Sequence, residues 1–266
     1  MKKIITTLLV LALAVTGCVF ALTGCKSSGE KTLTVGFDAE YPPFTYEENG
    51  EFAGFDIEYA KKVCETLGYK IQLKAIDWNA KDEALKTGLI DCIWSGFTYE
   101  DREDKYAWTV RYLDNTIVVL TNSDQINAVA DLAGKLVGVK SDSSGETALK
   151  KQTELVASFS GGNYSTDASY TTSFTKLKTG AYDAIVVDVG VANFLLSKMD
   201  AAEAAGYKVL SEKISVETYG VGFRLSDTEL CKEVSDAMEK VAQDVTFVKG
   251  LCEKYGIDYN VFTLGK

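Results

Sequence analysis

The chain has 266 residues, 46% apolar and 25% charged, a globular composition long enough for one large or two ordinary domains. Its net charge of −10 repels phosphate backbones, and with no basic run or stacking patch beside it nucleic acid is excluded as a partner. It contains no histidine, which removes His-based triads, histidine zinc sites and proton shuttling near neutral pH; no cofactor and no metal are expected.

Residues 1–24 read as a targeting segment, with Lys2 and Lys3 ahead of a mostly apolar run from Ile4 to Leu22. Two stretches resemble a lipoprotein-processing box, ending at Cys18 and at Cys25. Cys25 is preferred, because cutting at Cys18 would leave Val19-Phe20-Ala21-Leu22 in a tether that should be polar. The alternatives are an ordinary secretory signal or an uncleaved anchor. Residues 25–31 then form the tether, and acyl chains on Cys25 would hold the folded part outside a membrane, at a cell surface or in a periplasm. Removing residues 1–24 takes away Lys2 and Lys3, so the charge moves from −10 to −12.

The 32–38 stretch reads as a buried strand, ended by Pro42 and Pro43, which forbid helix. Asp56 is placed to cap a helix carrying Ile57, Ala60, Val63, Cys64 and Leu67 until Gly68 stops it. Residues 71–77 form the next strand, Asn79 caps a short helix ending at Gly88, and 91–96 form a third strand. The β-branched run 116–120 crosses into a second unit. That unit has a strand at 136–140, a helix opened by Ser143 or Ser144, a helix at 172–179, a strand at 184–188 and an apolar helix through Leu196. Residues 218–224 form the return crossing. The pair Ser226 and Glu229 reads as a capping box for a long amphipathic helix, and a last helix covers about 247–255. Cys64 and Cys92 fall on apolar faces as small core residues; whether Cys231 and Cys252 pair is left open.

One ten-residue pattern occurs twice. Residues 85–94 carry Leu85, Lys86, Thr87, Gly88, Asp91 and Ile93; residues 177–186 carry Leu177, Lys178, Thr179, Gly180, Asp183 and Ile185. Each copy reads as a helix end, a Gly stop, a turn and a buried strand. Two similar α/β units, with parallel sheets covered on both faces, leave a cleft between them.

In open parallel sheets, ligands bind beyond the carboxyl ends of the strands. Those ends carry Asp38 with Tyr41, Asp77 with Trp78, Ser95 to Thr98, Lys140 with Ser143 and Ser144, and Asp188, with Arg102 close behind Thr98. A zwitterion matches this set. The planar fork of Arg102 suits an α-carboxylate, aided by the N–H groups of the helix after Ser144. Asp188, the Gly96 carbonyl and the Thr98 hydroxyl accept from an α-ammonium, while Tyr41 and Trp78 cover the aliphatic part. Each residue has an ordinary reading too. Arg102 lies in the acidic run 100–104 and reads alone as a solvated ion pair; Asp188 reads equally as a helix cap; Tyr41 and Trp78 read as core.

As a set, Asp38-Ala-Glu-Tyr-Pro-Pro-Phe44 with Gly54-Phe-Asp56, Ser95-Gly-Phe-Thr98 up to Arg102, and Tyr182-Asp-Ala-Ile-Val-Val-Asp188 resemble the extracellular solute-binding proteins for polar amino acids that serve ATP-driven importers. The resemblance covers essentially the whole mature chain. It implies an α/β fold of two lobes, periplasmic-binding-protein-like or flytrap-like, in which two parallel or mixed sheets are joined by two hinge strands. Lobe 1 is then 32–113 plus 218–266 and lobe 2 is 117–214, with hinges near 112–117 and 215–219. It implies that Arg102 takes the ligand carboxylate and Asp188 the ammonium, that Gly96, Thr98 and Ser144 touch the same groups, and that Asp38, Tyr41, Trp78 and Lys140 line the side-chain pocket. The loop from Thr98 to Arg102 is one residue shorter than the family's usual spacing.

The implied partners are a free amino acid, a membrane permease and its ATPase subunits, with the protein itself a monomer and no catalytic residue assigned. Asp38 with Lys140 suits a side-chain amide, Asp38 with Glu40 equally suits a basic side chain, and room between Tyr41 and Trp78 suits cystine; a polar neutral amino acid, glutamine-like or cystine, ranks first. Two other classes stay open: an extracellular enzyme similar to the cyclohexadienyl dehydratases, with Glu40 as its candidate acid, and a ligand-sensing module for a membrane receptor.

Overall fold

The computed structural model describes residues 30–266, so the targeting segment, Cys18 and Cys25 lie outside the described residues. From Thr32 to Lys266 the chain forms one compact unit. Among the described residues no helix is long and apolar enough to cross a membrane.

Thirteen strands and nine α-helices follow one another along the described chain. The first half contains β1 (Thr32–Phe37), β2 (Glu40–Tyr41), β3 (Thr45–Glu48), β4 (Glu51–Ala53), α1 (Phe55–Leu67), β5 (Lys70–Ala75), α2 (Lys81–Lys86), β6 (Cys92–Thr98), β7 (Ala107–Trp108) and β8 (Leu113–Thr121). Then come β9 (Val137–Lys140), α3 (Ser144–Lys151), α4 (Thr153–Ser158), β10 (Ser165–Asp167), α5 (Tyr170–Lys178), β11 (Ala184–Asp188), α6 (Val189–Ser197), α7 (Ala201–Ala204), β12 (Lys208–Val209), β13 (Ser215–Phe223), α8 (Thr228–Ala242) and α9 (Val245–Tyr255).

Ten of the strands belong to one mixed sheet, running β10-β9-β11-β8-β13-β6-β1-β5, with β12 against β8 and β7 against β13. Strands β2, β3 and β4 make a small second sheet absent from the sequence reading. β1 runs parallel to β5 and β6, and β9 runs parallel to β10 and β11. The two crossing strands pair antiparallel with each other, from Ser215 opposite Ile117 to Tyr219 opposite Leu113, and so join what would be two sheets into a continuous one.

β6, β9 and β11 are buried along their whole length on both faces, which explains their near-continuous apolar runs. On β11, Ile185 and Val187 pack into one core, while Ala184 and Val186 pack into another. On β6, Cys92 and Trp94 face α1 and α8, and Ile93 and Phe97 face the core around Leu85 and Tyr106. The period of two sends alternate side chains to opposite layers.

The repeated pattern has a structural cause. Gly88 and Gly180 both have φ of 76° just past a helix end, where a side chain would strain the backbone. The two aspartates then tie the turn to the neighbouring parallel strand in the same way. The Asp91 amide donates to the Thr34 carbonyl at 2.8 Å, and its carboxylate accepts from the Thr34 amide at 2.8 Å. The Asp183 amide donates to the Leu136 carbonyl at 2.8 Å, and its carboxylate accepts from the Leu136 amide at 2.7 Å.

Three capping expectations are corrected. Gly54, not Asp56, occupies the cap of α1 with φ of 127°; a Cβ there would lie 2.1 Å from the Phe44 carbonyl oxygen. Asp56 turns inward instead and accepts from the Gly96 amide and from the Tyr112 hydroxyl at 2.8 Å. Asp77, not Asn79, caps the turn at 78–80 by accepting from the Asn79 amide at 2.9 Å. The box of Ser226 and Glu229 does not form: Asp227 precedes α8, and its carboxylate is held by Arg224 at 2.6 Å. Cys64, Cys92, Cys231 and Cys252 are all free and buried.

Candidate functional site

The ends of β1, β6 and β9, with the starts of α3 and α5, converge on a small cavity between the two halves of the sheet. It measures about 20 Å³ and is lined by Asp38, Tyr41, Trp78, Gly96, Thr98, Arg102, Lys140, Ser143, Ser144 and Tyr170. Eight of the nine residues expected from the sequence to touch ligand are in that lining; Asp188 is not. A space of that size holds about one water-sized body, so an amino acid enters only if the halves part or the side chains move.

Each wall has a local cause. Asp38 directly follows β1; its amide donates to the Ser95 hydroxyl at 3.2 Å, and its carboxylate accepts from the Glu40 amide at 2.9 Å. Gly96 has φ of 50°, and a Cβ on it would lie 2.5 Å from the Tyr41 ring, so only glycine lets that ring close over the strand. Ser143 caps α3 by accepting from the Glu146 amide at 3.2 Å, and Ser144 is the helix's first residue. Lys140 ends β9, and its ammonium pairs with the Asp38 carboxylate from the opposite half of the sheet.

Arg102 is half-buried and turns toward the cavity. One of its guanidinium nitrogens donates to the Thr98 carbonyl at 3.0 Å, and the group lies 5.1 Å from the Phe97 ring centre. Among the described residues it makes no ion pair, although Glu100, Asp101, Glu103 and Asp104 flank it. The tight turn brings the Arg102 amide to the Tyr99 carbonyl at 3.0 Å and points the side chain back along β6.

Asp188 is 1% exposed and lies one layer behind the lining. It receives the Tyr41 hydroxyl at 3.0 Å, the Tyr219 hydroxyl at 2.8 Å, the Asn115 amide at 2.7 Å and the Tyr170 hydroxyl. It precedes α6 but makes no side-chain capping bond, which removes its reading as a helix cap. The two tyrosines that separate it from the cavity stack on each other, with ring centres 5.5 Å apart.

Tyr170 and Glu217 were not foreseen. The sequence reading starts α5 at Thr172; the overlooked signal is Ser169, whose hydroxyl accepts from the Thr172 amide at 3.2 Å and so puts Tyr170 at the helix start. Glu217 sits opposite Asn115 in the crossing pair and accepts from its amide at 2.8 Å and from the Ser144 hydroxyl at 3.0 Å. Nothing in the polar stretch 215–218 marks it as buried.

Burial pushes the Glu217 carboxyl up to about 8, helped by the Asp188 charge and opposed by donors on Asn115, Ser144 and Thr98. Burial raises Asp56 to about 7 against its bonds from Gly96 and Tyr112. Burial also pushes the hydroxyls of Tyr41, Tyr170 and Tyr219 well above their ordinary range, with the Asp188 charge next, so all three remain donors. An acid whose folded value is raised holds an extra proton in the folded state, so stability is full below its unfolded value and is lost as pH rises through the folded one. The windows run from 4.5 to about 8 for Glu217 and from 3.8 to about 7 for Asp56. A one-unit difference between folded and unfolded values is worth about 1.4 kcal/mol. Urea unfolding of wild type is therefore expected to lose a contribution between pH 5 and pH 8.5 that Glu217→Gln lacks. Equal pH dependence in the two proteins would contradict this assignment.

Glu40 is exposed and lies outside the cavity, which leaves the dehydratase reading without the acid it required. A larger concavity of about 620 Å³ lies elsewhere, between Phe44, Gly190, the β8–β13 pair and Gly256 to Asp258. Its charged lining is one lysine, Lys213, against Glu100, Asp114, Glu217 and Asp258. Arg102 lines the smaller space and, beside Thr98, Ser144 and Glu217, a neighbouring concavity of about 380 Å³; it does not line the largest of the three. Among the described residues no cluster of His, Cys, Asp and Glu is arranged to hold a metal ion.

Residues 33–257 match the family model of bacterial extracellular solute-binding proteins, family 3. The arginine-binding extracellular protein ArtP of Bacillus subtilis is 30% identical over 87% of this chain and 91% of its own. The L-cystine-binding protein TcyJ of Escherichia coli K12 is 31% identical over 84% of this chain and 82% of its own. Among solved structures, a substrate-binding protein of an ABC uptake transporter from Streptococcus pneumoniae, with bound histidine, superposes with a TM-score of 0.80 at 29% identity, covering 88% of this chain and 95% of that one.

Proposed function

Because the chain belongs to family 3 of the bacterial extracellular solute-binding proteins, we propose that it captures a free polar amino acid outside the cell and delivers it to the permease of an ATP-driven importer. It is a binding protein, as are the relatives similar to it along most of its length. The observation that carries the reading is the placement of Arg102: a guanidinium without an acidic partner among the described residues, lining a cavity whose walls come from both halves of the sheet. Thr98, Gly96, Ser144 and the first N–H groups of α3 surround the place where a carboxylate would meet it.

In this reading lobe 1 (32–113 with 218–266) and lobe 2 (117–214) open and close about β8 and β13, with the hinges near 112–117 and 215–219. Arg102 takes the α-carboxylate from lobe 1. Asp188 takes the α-ammonium from lobe 2, once Tyr41 and Tyr170 give way to it. A ligand touched by both lobes only when they are shut shifts the equilibrium toward the closed form. The pairs Lys140–Asp38, Lys81–Asp142, Lys151–Asp101 and Lys198–Glu48 all cross between the lobes; the more exposed of them hold the closed form weakly. A lipid on Cys25 would keep the protein, as a monomer, beside its permease. Labelled palmitate should then be incorporated by wild type and not by Cys25→Ser, and equal labelling of the two would count against lipidation there.

The ligand is identified by a thermal-shift screen against the twenty amino acids and cystine. At a hundredfold excess over Kd, bound ligand adds about 2.7 kcal/mol, a rise of about 5–10 °C for a chain of this size. Uncharged polar amino acids, glutamine-like or cystine, are expected to give the largest rise. A flat response to all of them would overturn the capture reading.

A further inference from the structure

We propose that Lys140 is a built-in cation that sets the selectivity of the cleft, so that the site accepts amino acids with uncharged, hydrogen-bonding side chains and rejects those with cationic ones. This rests on the capture reading above and names the substrate class within it.

The cleft contains one subsite with the features a cationic side chain seeks, a carboxylate under a set of aromatic rings, and Lys140 already occupies it. Its side chain is 4% exposed and its ammonium is paired with Asp38, whose side chain is 10% exposed. The same nitrogen lies 5.8 Å from the Tyr41 ring centre, 5.8 Å from that of Trp78 and 5.2 Å from that of Tyr170. Rings at that range stabilise a cation through their quadrupole, more so when water is excluded. The lysine is held there by its backbone, because β9 lies between β10 and β11 and Lys140 pairs in register with Asp167.

An arginine or lysine ligand would meet a carboxylate that is already neutralised, and an ammonium of its own sign beside it. Removing Lys140 from Asp38 would leave a buried carboxylate without its partner. A neutral side-chain amide meets no such conflict. Its oxygen accepts from Lys140, its N–H groups donate to Asp38, and the ion pair opens only enough to admit it.

The test is calorimetric titration of wild type, Lys140→Met and Lys140→Arg with glutamine, cystine, arginine and lysine. Methionine keeps the length and apolar stem of lysine among the rings and removes the charge. Wild type should bind its best neutral amino acid at least ~100-fold more tightly than arginine or lysine, the scale of an unpaired buried charge. Lys140→Met should gain at least ~10-fold for arginine or lysine and lose affinity for the neutral ligand, while Lys140→Arg should still reject both cations. Wild type binding arginine or lysine within tenfold of its best neutral ligand would overturn the inference and leave amino-acid capture standing. So would a folded Lys140→Met with no gain for either cation. Wild type binding none of the four, with a flat thermal screen against the other amino acids, overturns both.

Discussion

Replacing Arg102 with alanine is expected to lower affinity for the amino acid by two to four orders of magnitude while leaving the fold nearly unchanged. The guanidinium makes one side-chain hydrogen bond in the structure, to the Thr98 carbonyl, and stacks loosely over Phe97, so little of the folded chain depends on it. The ligand depends on it far more. A carboxylate brought into a closing cleft surrenders its hydration, and the planar fork is the group that replaces both of its lost partners. Losing one member of a buried pair costs about 3–5 kcal/mol, which converts to that range of affinity. Calorimetric titration reads the loss, and urea unfolding checks that stability has moved by less than about 1 kcal/mol, as for a surface substitution. Arg102→Ala binding like wild type would rule out the role.

At Asp188 the shape and the charge of the side chain are expected to separate. Asp188→Ala strands the hydroxyls of Tyr41, Tyr170 and Tyr219 and the Asn115 amide, all of which now donate to one buried carboxylate. Each buried donor left without an acceptor costs about 1–3 kcal/mol. The Tyr41 and Tyr219 hydroxyls lie 2.6 Å apart, so with the carboxylate gone one can donate to the other and recover part of that, and a loss of about 3–5 kcal/mol is expected in urea unfolding. Asp188→Asn keeps the shape and one acceptor but has no charge for an ammonium. It should retain most of the stability and still bind at least ~100-fold more weakly. An Asp188→Asn protein that binds as wild type does would assign the carboxylate to scaffolding alone.

How far the molecule was legible in its sequence differs from part to part. The repeat at 85–94 and 177–186 announced two similar units because each copy must stop a helix, turn through a positive φ and tie back to a parallel strand, which fixes Gly and Asp at the same spacing. Strand ends were readable for the same reason, since apolar runs stop where polar residues enter the cleft. The cap at Asp56 was misread because a carboxylate can bond a helix end or a distant group, and here the distant groups Gly96 and Tyr112 hold it; the box at Ser226 and Glu229 was placed one residue early, since Asp227 precedes α8 and pairs locally with Arg224. Glu217 and Asn115 stayed hidden because an exposed strand and a crossing strand buried by contact with both halves have the same polar look. The layer of tyrosines between Asp188 and the cavity stacks Tyr41 on Tyr170, from segments more than a hundred residues apart, which no local pattern records.

The most direct measurement is a titration of wild type with the amino acid chosen by the thermal screen, beside two relatives of that ligand, one with its α-carboxylate converted to an amide and one lacking the α-amino group. If Arg102 and Asp188 grip opposite poles of one zwitterion, both altered molecules should bind at least ~100-fold more weakly than the parent. Undiminished binding of either one would show that the pole it lacks is not held, and would contradict the account.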